Sequence, residues 1–319
     1  MTSNTSIPTF LKRFLALSTP ERRQYTKKYF QKLQQLQEHR ISDADDPHSP
    51  FSIVTALSQT SERKNRYTDI IPFDANRVIL NAKAYDYINA SHIVPPFGIR
   101  RSYIATQGPL ENTAKDFWLM TIEQKTSVIV CLTPEQEVRR GKCWQYWPTM
   151  DRMPHIWYEI DPEAKVEIQC EDEEYLEEAD TEISRFAVTV NRDAQVLDES
   201  TISHLKFLGW QDHSALDTAS HILGLVRTTN ELRVNNEDAP VIVHCSAGCG
   251  RTGTFCVVDS GLELLKMIGE GLIEDDGRDF IFELVDSFRQ QRVTMVQTGE
   301  QYYFCYLALL DALGVHEEI

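Results

Sequence analysis

The chain has 319 residues, 42 % of them hydrophobic and 25 % charged, ordinary proportions for a soluble globular protein with a sizeable core. Its formal charge of −16 is the wrong sign for gripping a nucleic-acid backbone, so no nucleic-acid partner is expected, and any anionic substrate must be captured by a local positive site. The seven cysteines are odd in number with no CxxC pair, which argues against a disulfide framework and a structural zinc site and for a reducing, cytoplasmic location with nuclear access open; no long apolar run offers membrane insertion.

Residues 1–45 read as a helical segment. Phe10, Leu11, Phe14 and Leu15 fall at helical spacing, and Ser18-Thr19-Pro20-Glu21 marks a second helix start, with Thr19 as the expected cap, running through Tyr25, Tyr29, Leu33 and Leu36. The segment reads as a pair of helices packed on the domain, or as a docking or autoinhibitory element. Residues 46–319 then form a single domain. Strand text appears at Val78–Leu80, Tyr103–Thr106, Ser127–Leu132 and Val241–Val243, and helical text at 113–125, 216–232, 254–269, 278–290 and 299–313. Such interspersion predicts an α/β fold in which helices cover a sheet. Residues 164–170 and 184–190 suggest an antiparallel pair, and the acidic stretch Glu171–Glu182 between them reads as a solvated loop without contacts.

The strongest signal is Val241-Ile242-Val243-His244-Cys245-Ser246-Ala247-Gly248-Cys249-Gly250-Arg251-Thr252-Gly253. An apolar strand enters a turn of small residues and leaves it as a helix. Successive amides of Ser246, Ala247, Gly248, Cys249 and Gly250 can point inward as an anion nest, with the two glycines supplying unusual backbone angles. The helix N-terminus adds positive potential. Arg251, six residues after Cys245, can reach back as a planar fork onto two phosphate oxygens. In that field a thiol falls from its usual ~8.5 toward roughly 3.5–7.5, so Cys245 is expected to be a thiolate that attacks phosphorus. Thr252 can donate to the sulfur, and His244 can order the loop through its ring nitrogens. A lone buried cysteine is usually just a small hydrophobe, but here a whole constellation surrounds it. Cys249 reads as a packing residue or as a thiol that traps oxidised Cys245. The nucleophile and Arg251 with the loop amides require no metal or cofactor.

The run from His244 to Gly253 resembles the signature of the tyrosine-specific, cysteine-based protein tyrosine phosphatases of the non-receptor, single-domain kind. Other motifs of that family follow in its order. They are Lys64-Asn65-Arg66-Tyr67, Asp86-Tyr87-Ile88-Asn89-Ala90-Ser91, Tyr103 to Pro109, Asp116-Phe117-Trp118, Lys142 to Pro148, Trp210-Gln211-Asp212-His213 and Gln297-Thr298-Gly299-Glu300-Gln301-Tyr302. The resemblance covers roughly residues 50–315. It implies a twisted mixed β-sheet flanked by α-helices, with phosphotyrosine-containing proteins as partners, and nothing in it requires more than a monomer. It further implies that Tyr67 walls a deep slot and stacks on the substrate's phenyl ring, while Asp69 accepts hydrogen bonds from substrate peptide amides. Asp212 is the implied general acid and then base, and Gln297, with Gln301, positions the attacking water. Glu137 is implied to pair with Arg251, and Lys142 to approach Asp212.

Two departures from the family pattern stand out. In the acid loop Gln211, Ser214 and Leu216 replace a proline, a glycine and a second proline, which predicts retuned turnover rather than its loss. Thr294 stands where several members carry a glycine that opens a neighbouring pocket, which predicts weak preference for doubly phosphorylated peptides. Competing readings are a catalytically weak phosphotyrosine-binding module, a dual-specificity or lipid phosphatase, and a structural scaffold. The first usually lacks the acid, cysteine or arginine, and the second lacks Lys64-Asn65-Arg66-Tyr67.

Overall fold

A computed structural model describes residues 7–81, 85–193, 195–210, 219–233 and 238–315. Two helices come first, α1 (Thr9–Leu15) and α2 (Thr19–Ile41). Ser18, not Thr19, caps α2. Glu21 Oε2 accepts from the Ser18 amide at 2.8 Å and from its hydroxyl at 2.6 Å, which makes Thr19 the first helical residue. Proline at the second position, where an N–H would be orphaned anyway, then costs nothing.

The chain continues through α3 (Gln59–Glu62), β1 (Arg77–Ile79), β2 (Tyr87–Ile93), β3 (Tyr103–Thr106), α4 (Ala114–Glu123), β4 (Val128–Cys131) and α5 (Glu135–Arg139). It then forms β5 (His155–Asp161), β6 (Ala164–Leu176), β7 (Thr181–Arg192), β8 (Gln195–Phe207), α6 (Ala219–Leu232), β9 (Val241–His244), α7 (Gly250–Gly269), α8 (Phe280–Arg289) and α9 (Gly299–Ala312). The strands make one mixed sheet in the order β1-β2-β3-β9-β4-β8-β7-β6-β5. Its centre, β3-β9-β4-β8, is parallel and both flanks are antiparallel.

The parallel centre is buried on both faces, which is why its strands read as unbroken apolar runs. Tyr103, Ala105, Val128, Val130, Val241 and Val243 join a core with α1, α2 and α6 to α9. Ile104, Ile129 and Ile242 point the other way, into a second core around Phe117 and Trp118 of α4. Each such buried side chain contributes roughly 1.5–3 kcal/mol. The strand leading into Cys245 is therefore among the most firmly held parts of the chain.

The acidic stretch is not a loop. Asp172–Leu176 extend β6, Glu177–Ala179 form a 3₁₀ turn, and β7 starts at Thr181 with Leu176 opposite it. Cross-strand pairing satisfies the backbone while most of the carboxylates face solvent, so high charge and strand structure coexist. Nor is the stretch without contacts, since Glu178 pairs with Arg227 at 2.5 Å and Glu182 with Lys206 at 3.1 Å. Among the described residues no helix is long and apolar enough to cross a membrane.

Candidate active site

The chain leaves β9 at His244, turns through residues 245–249 and enters α7 at Gly250. Gly248 has φ +72°, and a Cβ there would lie 2.0 Å from the Thr106 carbonyl oxygen, so only glycine fits. The loop's carbonyls are all occupied on its outer side. Gly108 N–H donates to Ser246 O at 2.9 Å, and Gly253 and Val296 N–H donate to Cys249 O at 2.8 and 3.2 Å. Arg292, fully buried, donates through Nε to Gly248 O at 2.7 Å and through Nη2 to Ala247 O at 3.0 Å. Turning the carbonyls out leaves the amides to line the inner side, where the Gly248 N–H reaches Cys245 Sγ at 3.3 Å.

Two opposing effects set the Cys245 thiol. Burial pushes it up. The Arg251 charge, the Thr252 hydroxyl and the amides of Thr252 and Cys249 push it down, and together they win. The Thr252 hydroxyl is buried and has no other hydrogen-bond partner among the described residues. Cys249, in the same loop, is pushed the opposite way, up to about 11, chiefly by burial. Arg251 is aimed by Glu137. Nη1 donates to Glu137 Oε2 at 2.8 Å and Nη2 to Oε1 at 2.5 Å, a two-point grip nearly shielded from water. Nη1 also donates to Leu132 O at 3.2 Å. Glu137 rides on the short helix α5, which Lys206 of β8 anchors from behind through Glu135 at 2.9 Å.

Above the loop opens a cavity of about 520 Å³. Tyr67, Asp69, Lys142, Glu137, Cys245, Ser246, Ala247, Gly250, Arg251, Gln297 and Gln301 all line it, as does Trp210. Ser246 Oγ donates to the Lys142 carbonyl at 2.9 Å, which leaves the Tyr67 hydroxyl to donate to Ser246 Oγ at 2.9 Å. Tyr67 thus stands fixed over the loop with Lys142 Nζ 6.0 Å from its ring centre. Gln301 Oε1 accepts the amides of Gln297 at 2.8 Å and Thr298 at 3.2 Å, capping α9. The Gln297 side chain is left exposed to the cavity.

The protein-tyrosine phosphatase family profile matches residues 61–311. The chain belongs to the protein-tyrosine phosphatase family. Relatives include the receptor-type tyrosine-protein phosphatase S of Gallus gallus, 33 % identical over 311 residues. The human receptor-type phosphatase epsilon is 38 % identical over 264 residues and the human non-receptor type 9 enzyme 36 % over 272. These alignments cover 92 %, 80 % and 80 % of this chain but only 19 %, 35 % and 42 % of those proteins. The catalytic domain of human protein tyrosine phosphatase non-receptor type 18 superimposes with a TM-score of 0.77 at 30 % identity, covering 92 % of this chain and 98 % of that one. A structure of the same phosphatase with HER2-pY1196 phosphopeptides gives 0.79 at 30 % identity, covering 95 % and 97 %.

Behind the phosphatase loop lies a buried relay. His244 Nδ1 lies 3.3 Å from the Cys245 carbonyl and can only donate to it. Its Nε2 therefore accepts from the Tyr146 hydroxyl at 2.7 Å, and that oxygen in turn accepts from His204 Nε2 at 3.0 Å. With Nε2 accepting, the His244 ring is neutral; His204, whose Nε2 donates and whose Nδ1 has no partner among the described residues, is kept neutral by burial. Burial agrees, holding His244 down to about 4 and His204 well below its ordinary value. Cys131, His204 and His244 offer ligand atoms within 4.8 Å of one another, as a metal site would. The Tyr146 hydroxyl already bonds both rings, and burial pushes the Cys131 thiol up to about 12, which suits a hydrogen-bonded core better than a metal.

Sequence reasoning missed three residues that shape this phosphatase site. Arg292 orients the loop carbonyls, and its only sequence signal is a charge set just before an apolar stretch. Tyr146 sits in a quoted motif, but its bond to His244 spans 98 residues. Arg66 ties the Tyr67 loop to its neighbours, donating to the carbonyls of Gly108 at 2.9 Å, Pro109 at 2.7 Å and Gly141 at 2.5 Å. Asp212, with Gln211, His213, Ser214 and Leu216, lies outside the described residues.

Proposed function

We propose that the chain hydrolyses phosphotyrosine in proteins through a phosphocysteine intermediate on Cys245. The substrate's phosphate seats in the amide nest with two oxygens on Arg251, and its phenyl ring stacks on Tyr67. Asp69 accepts from the substrate backbone. The Cys245 thiolate attacks phosphorus as the bond to the tyrosyl oxygen breaks, and Asp212 protonates that oxygen. In the second step Gln297, helped by Gln301, orients a water. Asp212 takes the water's proton, the P–S bond breaks, and the Thr252 hydroxyl stabilises the departing thiolate. Lys142 steadies Asp212, and Glu137 keeps Arg251 planar to the phosphate. No step calls on a metal or cofactor.

The observation that carries this reading is the sulfur's setting. It is a buried thiol that the loop amides, Thr252 and Arg251 nonetheless hold below its ordinary pKa. A slot walled by Tyr67 favours the long phosphotyrosine over phosphoserine, which stops short of Cys245. The phosphopeptide complex of the similar non-receptor type 18 domain supports phosphotyrosine proteins as partners. Seven free, buried cysteines suit a cytoplasmic protein with access to the nucleus. The division at residue 45 and a monomeric state belong to the same proposal.

The test is hydrolysis of an aryl phosphate and of matched phosphotyrosine and phosphothreonine peptides. Turnover confined to the aryl and tyrosine substrates, and abolished in Cys245→Ser, is expected. Binding without turnover would mark a phosphotyrosine-binding module, and equal rates on phosphothreonine a dual-specificity enzyme. Asp212→Ala should then retain phosphotyrosine proteins from a lysate.

A further inference from the structure

The segment between α8 and α9 carries two β-branched residues in the left-handed region, Thr294 at φ +55° and Val296 at φ +59°. Side chains of this shape avoid that conformation, so the segment keeps it only while its surroundings impose it. Most of the restraint comes from the adjoining catalytic elements. Arg289 donates to the Met295 carbonyl at 3.0 Å and to the Val296 carbonyl at 2.7 Å, and the Val296 amide donates to Cys249 O. Gly253 of α7 passes so close that a Cβ there would lie 2.3 Å from the Val296 nitrogen.

The first strained residue is held from elsewhere. The Thr294 amide donates at 2.7 Å to Oε1 of Gln37, on α2. The same helix sets Phe30 under Arg289, whose guanidinium carbon lies 5.1 Å from the ring centre. Past the segment, Arg23 of α2 pairs with Glu300 at 3.0 Å, and Glu300 lines the cavity. Helix α2 thus makes contacts on both sides of Gln297, to Thr294 within the segment and to Glu300 at the start of α9.

We infer that Gln37 is a positioning residue for Gln297, so that the N-terminal helix governs breakdown of the phosphoenzyme rather than its formation. This rests on the reading of Gln297 as the residue that orients the attacking water. Formation of phosphocysteine uses Cys245, Arg251 and the loop amides, none of which Gln37 touches, with Asp212 as the acid. Breakdown needs a water held in line with the P–S bond, and a Gln297 backbone displaced by a fraction of an ångström loses that alignment. Gln37 is half-buried and its accepting oxygen meets a left-handed backbone amide, a contact that any oxygen of the same reach would satisfy.

The experiment is rapid-quench kinetics on an aryl phosphate with wild type, Gln37→Met, Gln37→Glu and Gln297→Ala. Gln37→Met keeps the volume and loses the acceptor. Its phosphocysteine should break down about 5–10-fold more slowly while forming at the wild-type rate, so kcat falls and kcat/KM holds. Gln37→Glu keeps the accepting oxygen and should restore breakdown to within about twofold of wild type. If Gln37→Met does not fold, Gln37→Asn, which withdraws the same oxygen by one methylene, takes its place. Equal slowing of both steps, no slowing of either, or a Gln37→Glu variant as slow as Gln37→Met would overturn the inference. Unimpaired breakdown in Gln297→Ala would instead remove the reading beneath it.

Discussion

Arg292 Nε donates to the Gly248 carbonyl at 2.7 Å, from a side chain with no exposure to solvent. Its other nitrogens reach Ala247 O, Asn89 Oδ1 at 2.7 Å and Ser91 Oγ at 3.2 Å. One guanidinium therefore fixes the outward face of the loop to β2, and the inward face follows from it.

Arg292→Met should remove these bonds while roughly keeping the volume. Buried acceptors left without donors make it about 3–5 kcal/mol less stable, measurable by urea unfolding. In the folded fraction, kcat/KM on an aryl phosphate should drop on the order of 10²-fold as the nest relaxes. A variant with full activity would show that the loop holds its shape unaided.

Strands β1, β3, β4 and β9, the main helices and the Cys245 loop were legible because each is a local pattern. Val241–Val243 is an apolar run buried on both faces, and Gly248 sits at φ +72° where the loop turns; Gly250, expected to supply a second unusual angle, is instead the first residue of α7 and has no positive φ. Strands β2, β5 and β8 were not anticipated. Gln195–Phe207 begins with exposed residues on both faces, including Asp198 and Glu199, so it shows no clean alternation. The edge strand His155–Asp161 does alternate, with Ile156, Tyr158 and Ile160 packing inward, but it buries its inward residues only in part. The roles of Arg292, Tyr146 and Gln37 were hidden for another reason. Their partners lie 44, 98 and 257 residues away in sequence, and nothing local records such a bond.

The buried histidines set a pH dependence. His244 is held down to about 4 from an ordinary 6.5, above all by burial. Above 6.5 the ring is neutral both folded and unfolded. Between 6.5 and 4 only the unfolded chain binds the proton, so stability falls as pH falls across that window. The gap is worth roughly 3 kcal/mol at most. His204, lowered for the same reason, adds in the same direction. Urea unfolding at pH 7 and pH 4.5 should show the decline, and His244→Asn should show a shallower one. Parallel slopes would remove His244 from the account.

Thr294 bears on peptide choice. Its backbone is left-handed and its amide is bound by Gln37. Wild type should gain less than about threefold in affinity from a second, adjacent phosphotyrosine, while Thr294→Gly, which also relieves the backbone, should gain more. Calorimetry on Cys245→Ser proteins with singly and doubly phosphorylated peptides measures both. A large gain already in wild type would refute the expectation.

Gln211 bears on turnover. Proline at that position would restrict the chain by roughly 0.4–1 kcal/mol of conformational freedom, or a two- to fivefold shift in the closing equilibrium proposed for the acid-bearing segment. Gln211→Pro should raise kcat by about that factor in steady-state assays. An unchanged kcat would mean that loop closure does not limit the reaction.

The central claim is that main-chain amides, Thr252 and Arg251 overcome burial to keep Cys245 ionised. Its most direct measurement is the ultraviolet thiolate absorbance of wild type minus that of Cys245→Ser, followed across pH. The difference should titrate with a midpoint clearly below the ordinary thiol value of about 8.5, and Arg251→Ala should move it upward. A wild-type midpoint at or above that value would contradict the account.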